Sequence, residues 1–254
     1  MSAASESGVP GTRPEGVRDE REAAARVREM FGRIAPRYDL LNHLLSLDID
    51  KVWRRRVAKR FSAILHDPSA RVLDLCCGTG DLAFAFRREA AIGAEIVGSD
   101  FVPEMLDRAR AKAAAFGAGV TFVEADALAL SFGDASFDLV SCSFGFRNLA
   151  NYERGLLEIF RVLKPGGAAA ILEFGEPRGK LFGSLYRFYF RRVLPRLGGL
   201  ISGNGSAYAY LPSSVSKFPS AEALQSLFER VGYTEVRFVR WTGGIVTLHI
   251  ARKQ

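Results

Sequence analysis

Glycine and acidic residues are grouped at the end of an apolar run, where they could bind a ligand. The run Arg71–Leu75 contains one acid, Asp74, and the loop that follows contains Gly78, Thr79 and Gly80. The two glycines permit a sharp turn and a close approach of a ligand to the backbone. The sequence therefore predicts a buried first strand that ends in a cofactor-binding loop.

The charges around this loop indicate which kind of cofactor it binds. Residues 78–83 read Gly-Thr-Gly-Asp-Leu-Ala, which fits the dinucleotide pattern with alanine in place of the last glycine. A pyrophosphate favours a helix N-terminus without anions, whereas Asp74 and Asp81 flank this loop. Two carboxylates suit a cationic ligand that lacks phosphate, such as S-adenosylmethionine. The alternative is a tight turn whose acids only cap the helix.

Further acids follow the next two predicted strands. Asp100 ends the second strand about twenty residues after the glycine loop, the usual position of a carboxylate that accepts from ribose hydroxyls. Asp126 and Ala127 follow the third strand, where a carboxylate and a backbone N–H could bind adenine. Each acid could instead be a helix or turn cap, but together they predict a nucleoside site.

The best candidates for chemistry on the transferred group follow the fourth predicted strand, Phe137–Ser143. Ligands of open α/β sheets lie beyond the carboxyl ends of the strands, so Arg147 and Asn148 could face the reacting group. The structural alternative is an ion pair for Arg147 and a helix cap for Asn148. Tyr38, Asp39 and Asn42, in an earlier segment, could bind substrate polar atoms or serve as cap and turn residues.

The elements that must position these residues alternate between strand and helix, which is typical of an α/β fold. We predict a Rossmann-like, doubly wound and mostly parallel sheet of seven strands, with an antiparallel C-terminal strand and an N-terminal helical cover. We expect a disordered leader over residues 1–21 and one domain over 22–254. Its parts are the cover at 22–66, the cofactor-binding core at 67–174, a substrate or lid insertion at 175–220, and a C-terminal helix with a hairpin at 221–254.

The insertion has an unusual composition. Phe182, Tyr186 and Tyr189 recur on one helical stripe, and Arg187 and Arg191 lie one turn apart. Such a helix suits a membrane surface or an apolar substrate, and ordinary packing on the sheet is the equal alternative. The glycine-rich residues that follow suit a mobile lid.

The overall composition limits the partners and the location. The net charge of +7 favours an anionic partner, either nucleic acid or an anionic membrane, although a solvated basic surface is a serious competitor. The chain has three cysteines, no zinc-type spacing and no apolar run long enough to span a bilayer. We expect reduced cysteines near the ligand loop, no metal, and a cytoplasmic protein that could associate with the inner face of the membrane. The oligomeric state stays open, with a homodimer as one option.

Four stretches of the chain resemble the ubiquinone/menaquinone biosynthesis C-methyltransferases, a family of class I S-adenosylmethionine-dependent methyltransferases. The glycine loop is shared by many methyltransferases, whereas the first and last stretches are particular to this family. The resemblance covers nearly everything from Val27 to Lys253. The stretches are Tyr-Asp-Leu-Leu-Asn at 38–42 with Leu-Ser at 45–46, the loop at 74–81, Ser-Phe-Gly-Phe-Arg-Asn at 143–148, and Arg-Val-Leu-Lys-Pro-Gly-Gly at 161–167 followed by Leu-Glu-Phe at 172–174.

The resemblance implies methyl transfer from S-adenosylmethionine to a ring carbon of a polyprenyl quinol. It places the cofactor at Thr79, Asp100, Asp126 with Ala127, and Ser143. It also makes Tyr38, Asp39, Arg147 and Asn148 residues of the substrate site. The chain departs from the family pattern at Asp50, where a histidine is usual, and at Gly175, where a serine is usual.

Three rival functions remain at the level of the sequence. A nucleic-acid methyltransferase agrees with the positive charge, but residues 143–146 lack the Asn/Asp-Pro-Pro-aromatic motif of amino-group methylases, and nucleic acid is a disfavoured partner. A nicotinamide oxidoreductase is disfavoured by the acids that flank the glycine loop. The third rival is a non-catalytic cofactor-binding partner in a biosynthetic assembly.

Overall fold

A seven-stranded sheet with the strand order β3-β2-β1-β4-β5-β7-β6 organises the chain. The structure is a computed structural model that describes residues 11–12, 14, 16–40, 46, 48–117, 119–175, 177, 183 and 205–254, without the side chains at 205–209 and 211. The strands are β1 Arg71–Leu75, β2 Glu95–Asp100, β3 Thr121–Glu124, β4 Phe137–Ser143, β5 Leu163–Phe174, β6 Thr234–Trp241 and β7 Val246–Arg252.

Helices pack around this sheet. They are α1 Glu20–Ile34, α2 Ile49–Arg60, α3 Ser62–Leu65, α4 Asp81–Glu89, α5 Pro103–Phe116, α6 Tyr152–Val162, α7 Gly205–Lys217 and α8 Ala221–Val231. In the described part of the chain, short 3₁₀ turns lie at Ala35–Arg37, Phe146–Asn148 and Thr242–Gly244. Among the described residues no helix is long and apolar enough to cross a membrane.

The strand directions confirm the predicted fold class. The strands β1 to β5 pair in parallel, and β7 pairs antiparallel with both β5 and β6. The antiparallel strand β7 therefore lies inside the sheet, between β5 and β6. The predicted C-terminal hairpin consists of β6 and β7, and of these two strands β6 forms the edge of the sheet. The central strand β1 is fully buried from Val72 to Leu75, as expected for a strand that is covered on both faces.

The order of the central strands fixes the position of a ligand site. Because β1 lies between β2 and β4, the chain leaves β1 toward one side of the sheet and returns to its other side as β4. This reversal is the topological switch point, outside which open α/β sheets bind ligands. The loops after β1, β2 and β4 meet at this point.

The folded chain begins earlier than the predicted leader boundary. Helix α1 starts at Glu20, with Asp19 as its N-cap. Before the helix, the Thr12 backbone N–H donates to the Leu149 carbonyl at 2.7 Å. Thr12 is buried, so part of the expected leader packs against the loop after β4.

Candidate active site

A cavity opens beyond the carboxyl ends of β1, β2, β3 and β4. It is open to solvent on one side, and the space between its lining atoms, open solvent included, is about 720 Å³. Most of its wall comes from the loops that follow these four strands, and α1 and Tyr38 of the N-terminal cover complete it. The lining residues are Ala24, Phe31, Tyr38, Cys76, Gly78, Asp100, Phe101, Val102, Met105, Ala125, Asp126, Ala127, Leu128, Ser143, Phe144, Gly145, Asn148, Leu149 and Ala150.

The glycine loop turns sharply at the floor of this cavity. Gly78 and Gly80 both have positive φ, +55° and +88°. A Cβ atom at Gly80 would lie 2.8 Å from the Phe122 ring, so position 80 also requires close packing. Of the two glycines, only Gly78 lines the cavity, whereas Gly80 packs behind it.

Asp100 connects the glycine loop to the second strand. Its carboxylate accepts from the Gly78 N–H at 2.8 Å and from the Val102 N–H at 2.9 Å. Burial raises the pKa of Asp100 to about 6, while these backbone hydrogen bonds oppose the rise. Each carboxylate oxygen can accept two hydrogen bonds, so both retain capacity for ribose hydroxyls at the cavity wall.

Asp126 and Ala127, which the sequence assigns to an adenine site, both line the cavity. Asp126 Oδ1 accepts from the Leu128 N–H at 2.9 Å, which fixes the turn after β3. Phe101 and the buried Met105 supply apolar surface to the same cavity. Apolar side chains beside a carboxylate suit an aromatic base with an exocyclic amino group.

Ser143 supplies a direct sign of a ligand. Its hydroxyl oxygen is buried and has no hydrogen-bond partner among the described residues, although the residue lines the cavity. Buried polar groups normally have a partner, and an unpaired hydroxyl is costly. Together with Asp100 and Asp126, this orphaned hydroxyl fits a polar, cationic nucleoside such as S-adenosylmethionine.

Asp74 lies behind the cavity wall. It is fully buried, accepts from the Ala83 N–H at 3.0 Å, and accepts from the Ser141 hydroxyl at 3.2 Å. Burial raises the pKa of Asp74 to about 7, and its hydrogen bonds oppose the rise. The predicted cofactor role therefore becomes indirect, because Asp74 anchors the start of α4 below the loop.

Thr79 and Asp39 belong to a polar cluster on the outer side of the glycine loop. The Thr79 hydroxyl donates to Asp39. The Lys112 ammonium on α5 donates to Asp39 Oδ2 at 3.0 Å, to Thr79 Oγ1 at 3.1 Å, and to Asp81 Oδ1 at 2.7 Å. We call these four residues the Lys112 cluster, and it ties the N-terminal cover to the glycine loop.

The residue that replaces the family's usual histidine lies next to this cluster. Asp50 on α2 accepts from the Ser46 hydroxyl at 2.6 Å and forms an ion pair with Arg54. The Arg54 guanidinium also lies 3.9 Å from Asp81. Asp50 is therefore part of a buried charge network and does not line the cavity.

Tyr38, Asn148 and Tyr210 form a second group, which we call the acceptor side because the sequence predicts substrate contacts for Tyr38 and Asn148. Tyr38 and Asn148 line the cavity. The Tyr210 hydroxyl on α7 donates to Asn148 Oδ1 at 3.1 Å and lies 3.1 Å from Thr12 Oγ1. This bond orients the Asn148 amide and leaves its Nδ2 donors for a ligand.

Arg147 lies behind the acceptor side and not on the cavity wall. Its guanidinium pairs with Glu173 at 2.9 Å, its backbone N–H donates to Glu173 Oε1 at 3.0 Å, and it donates to the Phe144 carbonyl. Burial is the largest influence on the pKa of Arg147 and lowers it, but the charge and hydrogen bond of Glu173, together with the nearby Tyr38 and Tyr210, raise it more, so this pKa lies above its usual value. Arg147 therefore fixes the turn that presents Asn148.

Several predicted features lie outside the described residues. They are Asn42, the aromatic stripe at 182–189 with its arginines, and most of the predicted lid; of that lid, Gly205–Lys217 forms α7. All three cysteines are free thiols, and Cys76 lines the cavity, as expected. Within the described part of the chain, no group of three or more His, Cys, Asp or Glu residues is placed to hold a metal ion.

Sequence reasoning missed three contributors to the site. Phe31 closes the cavity from α1, Lys112 organises the cluster on the outer side of the loop, and Glu173 neutralises Arg147. Of these three residues, only Phe31 could have been found from the sequence, because it belongs to the apolar helical stripe of α1. The other two roles depend on partners that are distant in sequence.

Comparison with known proteins agrees with this geometry. Residues 18–253 match the model of the ubiE/COQ5 methyltransferase family. A demethylmenaquinone methyltransferase of Deinococcus radiodurans is 50% identical over 94% of this chain and 97% of its own length. A protein of the same name from Thermus thermophilus is 53% identical over 87% of this chain and 98% of its own.

Solved structures with low identity show the same fold. A SAM-dependent methyltransferase of Thermotoga maritima has a TM-score of 0.61 at 19% identity, over 89% of this chain and 99% of its own. The [4+2]-cyclase SpnF has a TM-score of 0.64 at 16% identity, over 96% and 98%. Because a cyclase shares the fold, function must be argued from the site and the family. On both grounds, this chain belongs to the ubiE/COQ5 methyltransferase family and is a methyltransferase that uses S-adenosylmethionine.

Proposed function

We propose that this protein transfers a methyl group to a ring carbon of a polyprenyl quinol, converting demethylmenaquinol to menaquinol. The observation that carries the proposal is the likeness to two proteins named demethylmenaquinone methyltransferase, at 50% and 53% identity over almost their full lengths. That likeness includes the segments that form the acceptor side, and not only the cofactor loops that unrelated methyltransferases share.

The chemistry requires a nucleophilic carbon next to an electrophilic methyl group. S-adenosylmethionine, when bound, supplies the methyl group on a sulfonium. The ring carbon becomes more nucleophilic as its neighbouring hydroxyl loses a proton, so the site must stabilise a phenolate and align the carbon. In the transfer, the ring carbon would bond to the methyl group as the carbon–sulfur bond breaks and S-adenosylhomocysteine leaves. The ring carbon would then release its proton to water and the oxygen would regain one, so that one proton is released overall.

Asn148 and Tyr38 are suited to hold the quinol ring. The Asn148 Nδ2 donors can bind the phenolate oxygen, since Tyr210 already occupies the Oδ1 acceptor. Tyr38 offers an aromatic face on the same wall. Arg147 is a positioning residue, because its guanidinium is engaged by Glu173 and the Phe144 carbonyl.

The quinol tail also gives a reason for the basic charge of the chain. A polyprenyl substrate resides in the bilayer, and a net charge of +7 favours contact with its anionic cytoplasmic surface. We therefore propose a cytoplasmic protein that associates peripherally with the membrane. Light scattering of the purified protein tests whether it is a homodimer.

The direct test is methyl transfer from labelled S-adenosylmethionine to reduced acceptors. Demethylmenaquinol should be methylated faster than a benzoquinol with the same tail. Asn148→Ala should lower kcat about 100-fold, since a donor to developing charge is worth about that much, with the Kd for S-adenosylmethionine unchanged. Asn151→Ser is the matched control, because serine preserves the N-cap that Asn151 provides to α6.

Two results would overturn the proposal. One is transfer to neither quinol by a protein that binds S-adenosylmethionine, and the other is faster transfer to RNA or to a different small molecule. Near-normal turnover by Asn148→Ala would remove the role of Asn148 alone.

A further inference from the structure

One side of α2 exposes cations and aliphatic side chains. We call this surface the α2 face, and it consists of Ile49, Val52, Arg55, Arg56, Lys59 and Arg60. The opposite side of the helix carries Trp53, Val57 and Ala58, which are buried in the core. The α2 face is therefore the part of an amphipathic helix that the fold leaves uncovered.

The cations of this face are not neutralised within the described part of the chain. Arg55, Lys59 and Arg60 form no ion pair there, and Arg56 stacks 5.9 Å above the Trp241 ring. The acid of the same helix, Asp50, is buried and paired with Arg54. The surface thus keeps a concentrated positive charge that attracts an anionic partner.

A groove between α2 and α4 extends this charge. Arg55 of α2 and Arg88 of α4 line it, beside Lys51 and Lys112, whose charges are paired with Asp48 and with Asp39 and Asp81. Phe116 lines it too and is 70% exposed. Arg88 is exposed and forms no ion pair among the described residues, so the positive surface extends from α2 to a second helix.

Exposed apolar side chains accompany the cations. Ile49 is 37% exposed, Val52 is 44% exposed, and Leu40 is 59% exposed. Aliphatic side chains beside cations are typical of helices that lie in a membrane interface, where the apolar groups enter the acyl boundary and the cations bind headgroups. A surface for single-stranded nucleic acid would instead combine its cations with stacking aromatic residues.

We propose that the α2 face docks on an anionic phospholipid membrane. This inference rests on the proposed function, because a polyprenyl quinol must be collected from a bilayer. Leu40 lies two residues from Tyr38, which lines the cavity. Docking through Leu40 and α2 therefore places the acceptor side of the site next to the lipid that holds the substrate.

The test is sedimentation of the full-length protein with vesicles of phosphatidylglycerol and phosphatidylcholine. Arg55→Glu with Lys59→Glu should reduce vesicle binding at least about tenfold, since each basic residue near the surface contributes severalfold to partition. Arg230→Glu with Arg237→Glu is the matched control. It makes the same charge change at exposed positions on α8 and β6, and should leave binding within about twofold.

The contribution of the aliphatic side chains of the α2 face to vesicle binding is tested separately. Ile49→Ser with Val52→Ser should remove the binding that persists in high salt, because salt screens the cations and leaves the aliphatic contribution. Circular dichroism and S-adenosylmethionine binding establish that each variant is folded. The Arg55/Lys59 and Ile49/Val52 double variants should methylate a short-chain, water-soluble quinol at the wild-type rate and a vesicle-borne quinol more slowly than the wild type does.

Distinct outcomes separate the docking surface from the proposed function. Equal loss of binding in the α2 pair and the control pair, or no wild-type binding to anionic vesicles, overturns the docking surface. Tighter binding to single-stranded RNA than to vesicles, abolished by the α2 pair, also overturns it in favour of a nucleic-acid surface. Vesicle binding that depends on α2, together with no transfer to any quinol, supports the docking surface and overturns the proposed function.

Discussion

The cofactor side and the acceptor side of the cavity are held together in different ways. On the cofactor side, Asp100 is fixed by N–H groups of its own loop and of the loop after β1. On the acceptor side, Asn148 is held by Tyr210 from α7, and Tyr210 also contacts Thr12 near the start of the described chain. The cofactor side is thus built by neighbouring strands, whereas the acceptor side is built by segments about two hundred residues apart.

The difference shows how one fold can serve many acceptors. Sheet topology alone brings the β1 and β2 loops together, so their contacts with a common cofactor need few additional residues. The acceptor side depends on α7, the N-terminal cover and the buried Arg147–Glu173 pair. We expect damage to the cofactor side to change cofactor affinity, and damage to the acceptor side to change turnover or stability.

The largest effect is expected from disruption of the buried ion pair behind the acceptor side. Glu173→Gln leaves the Arg147 guanidinium buried and unpaired, which should lower the free energy of unfolding by about 3–5 kcal/mol. The side chains of this pair are 7% and 1% exposed. Urea unfolding of the wild type and the variant measures the loss.

The matched control for that change is Glu222→Gln. The Glu222 side chain is 63% exposed and pairs with Arg240, so its substitution should cost less than about 1 kcal/mol. Similar losses of unfolding free energy in Glu173→Gln and Glu222→Gln would show that burial does not make the Arg147–Glu173 pair more important for stability than the exposed Arg240–Glu222 pair.

The next largest effect is expected from a substitution on the cofactor side. Asp100→Ala removes the acceptor for ribose hydroxyls and leaves the Gly78 N–H without its partner. The Kd for S-adenosylmethionine should rise about 100-fold, as expected for the loss of hydrogen bonds to a charged group. Isothermal titration measures it, with the exposed Asp107→Ala as the control. An unchanged Kd would remove Asp100 from the cofactor site.

The pH dependence of S-adenosylmethionine binding tests the same role of Asp100. Because burial raises the pKa of Asp100 to about 6, its carboxylate is ionised above that pH and protonated below it. The ionised form is the better acceptor, so affinity for S-adenosylmethionine should be full above pH 7 and fall by up to tenfold per unit below pH 6. Asp100→Asn should bind more weakly and lose this fall. An identical fall in that variant would assign the titration to another group, such as Asp74.

The smallest effect concerns the Lys112 cluster, which joins the two sides. Lys112→Met removes the three hydrogen bonds from α5 to Asp39 of the cover and to Thr79 and Asp81 of the glycine loop. We expect about a fivefold rise in the KM for S-adenosylmethionine with kcat nearly unchanged, because partly exposed ion pairs contribute modestly. Lys112→Arg should restore most of the affinity. Arg108→Met, at an exposed position on the same helix, should have no effect.

Most of the cofactor side could be predicted from the chain because its signals are local. Asp100, Asp126 and Ala127 each follow a strand that an apolar run identifies, and the structure brings them to one cavity. The strand Phe137–Ser143 has its predicted bounds, and the C-terminal helix begins at the predicted position, Ala221, for the same reason. Thr79 and Asp74 carried equally strong signals but do not line the cavity. Thr79 contacts Asp39 on the outer side of an irregular loop, where sequence spacing does not determine which way a side chain faces, and Asp74 in β1 bonds to the start of α4.

The sequence by itself determined the fold class, the family and the cofactor, because strand periodicity, the glycine loop and the acids at the strand ends are readable along the chain. Only the tertiary structure decided that Arg147 is engaged by Glu173 and that Tyr210 orients Asn148. It also showed that Lys112 joins the cover to the glycine loop and that α2 leaves its cations uncovered. The physical reason is that hydrogen bonds, ion pairs and burial depend on distances between residues far apart in the chain, which folding sets and local patterns do not encode.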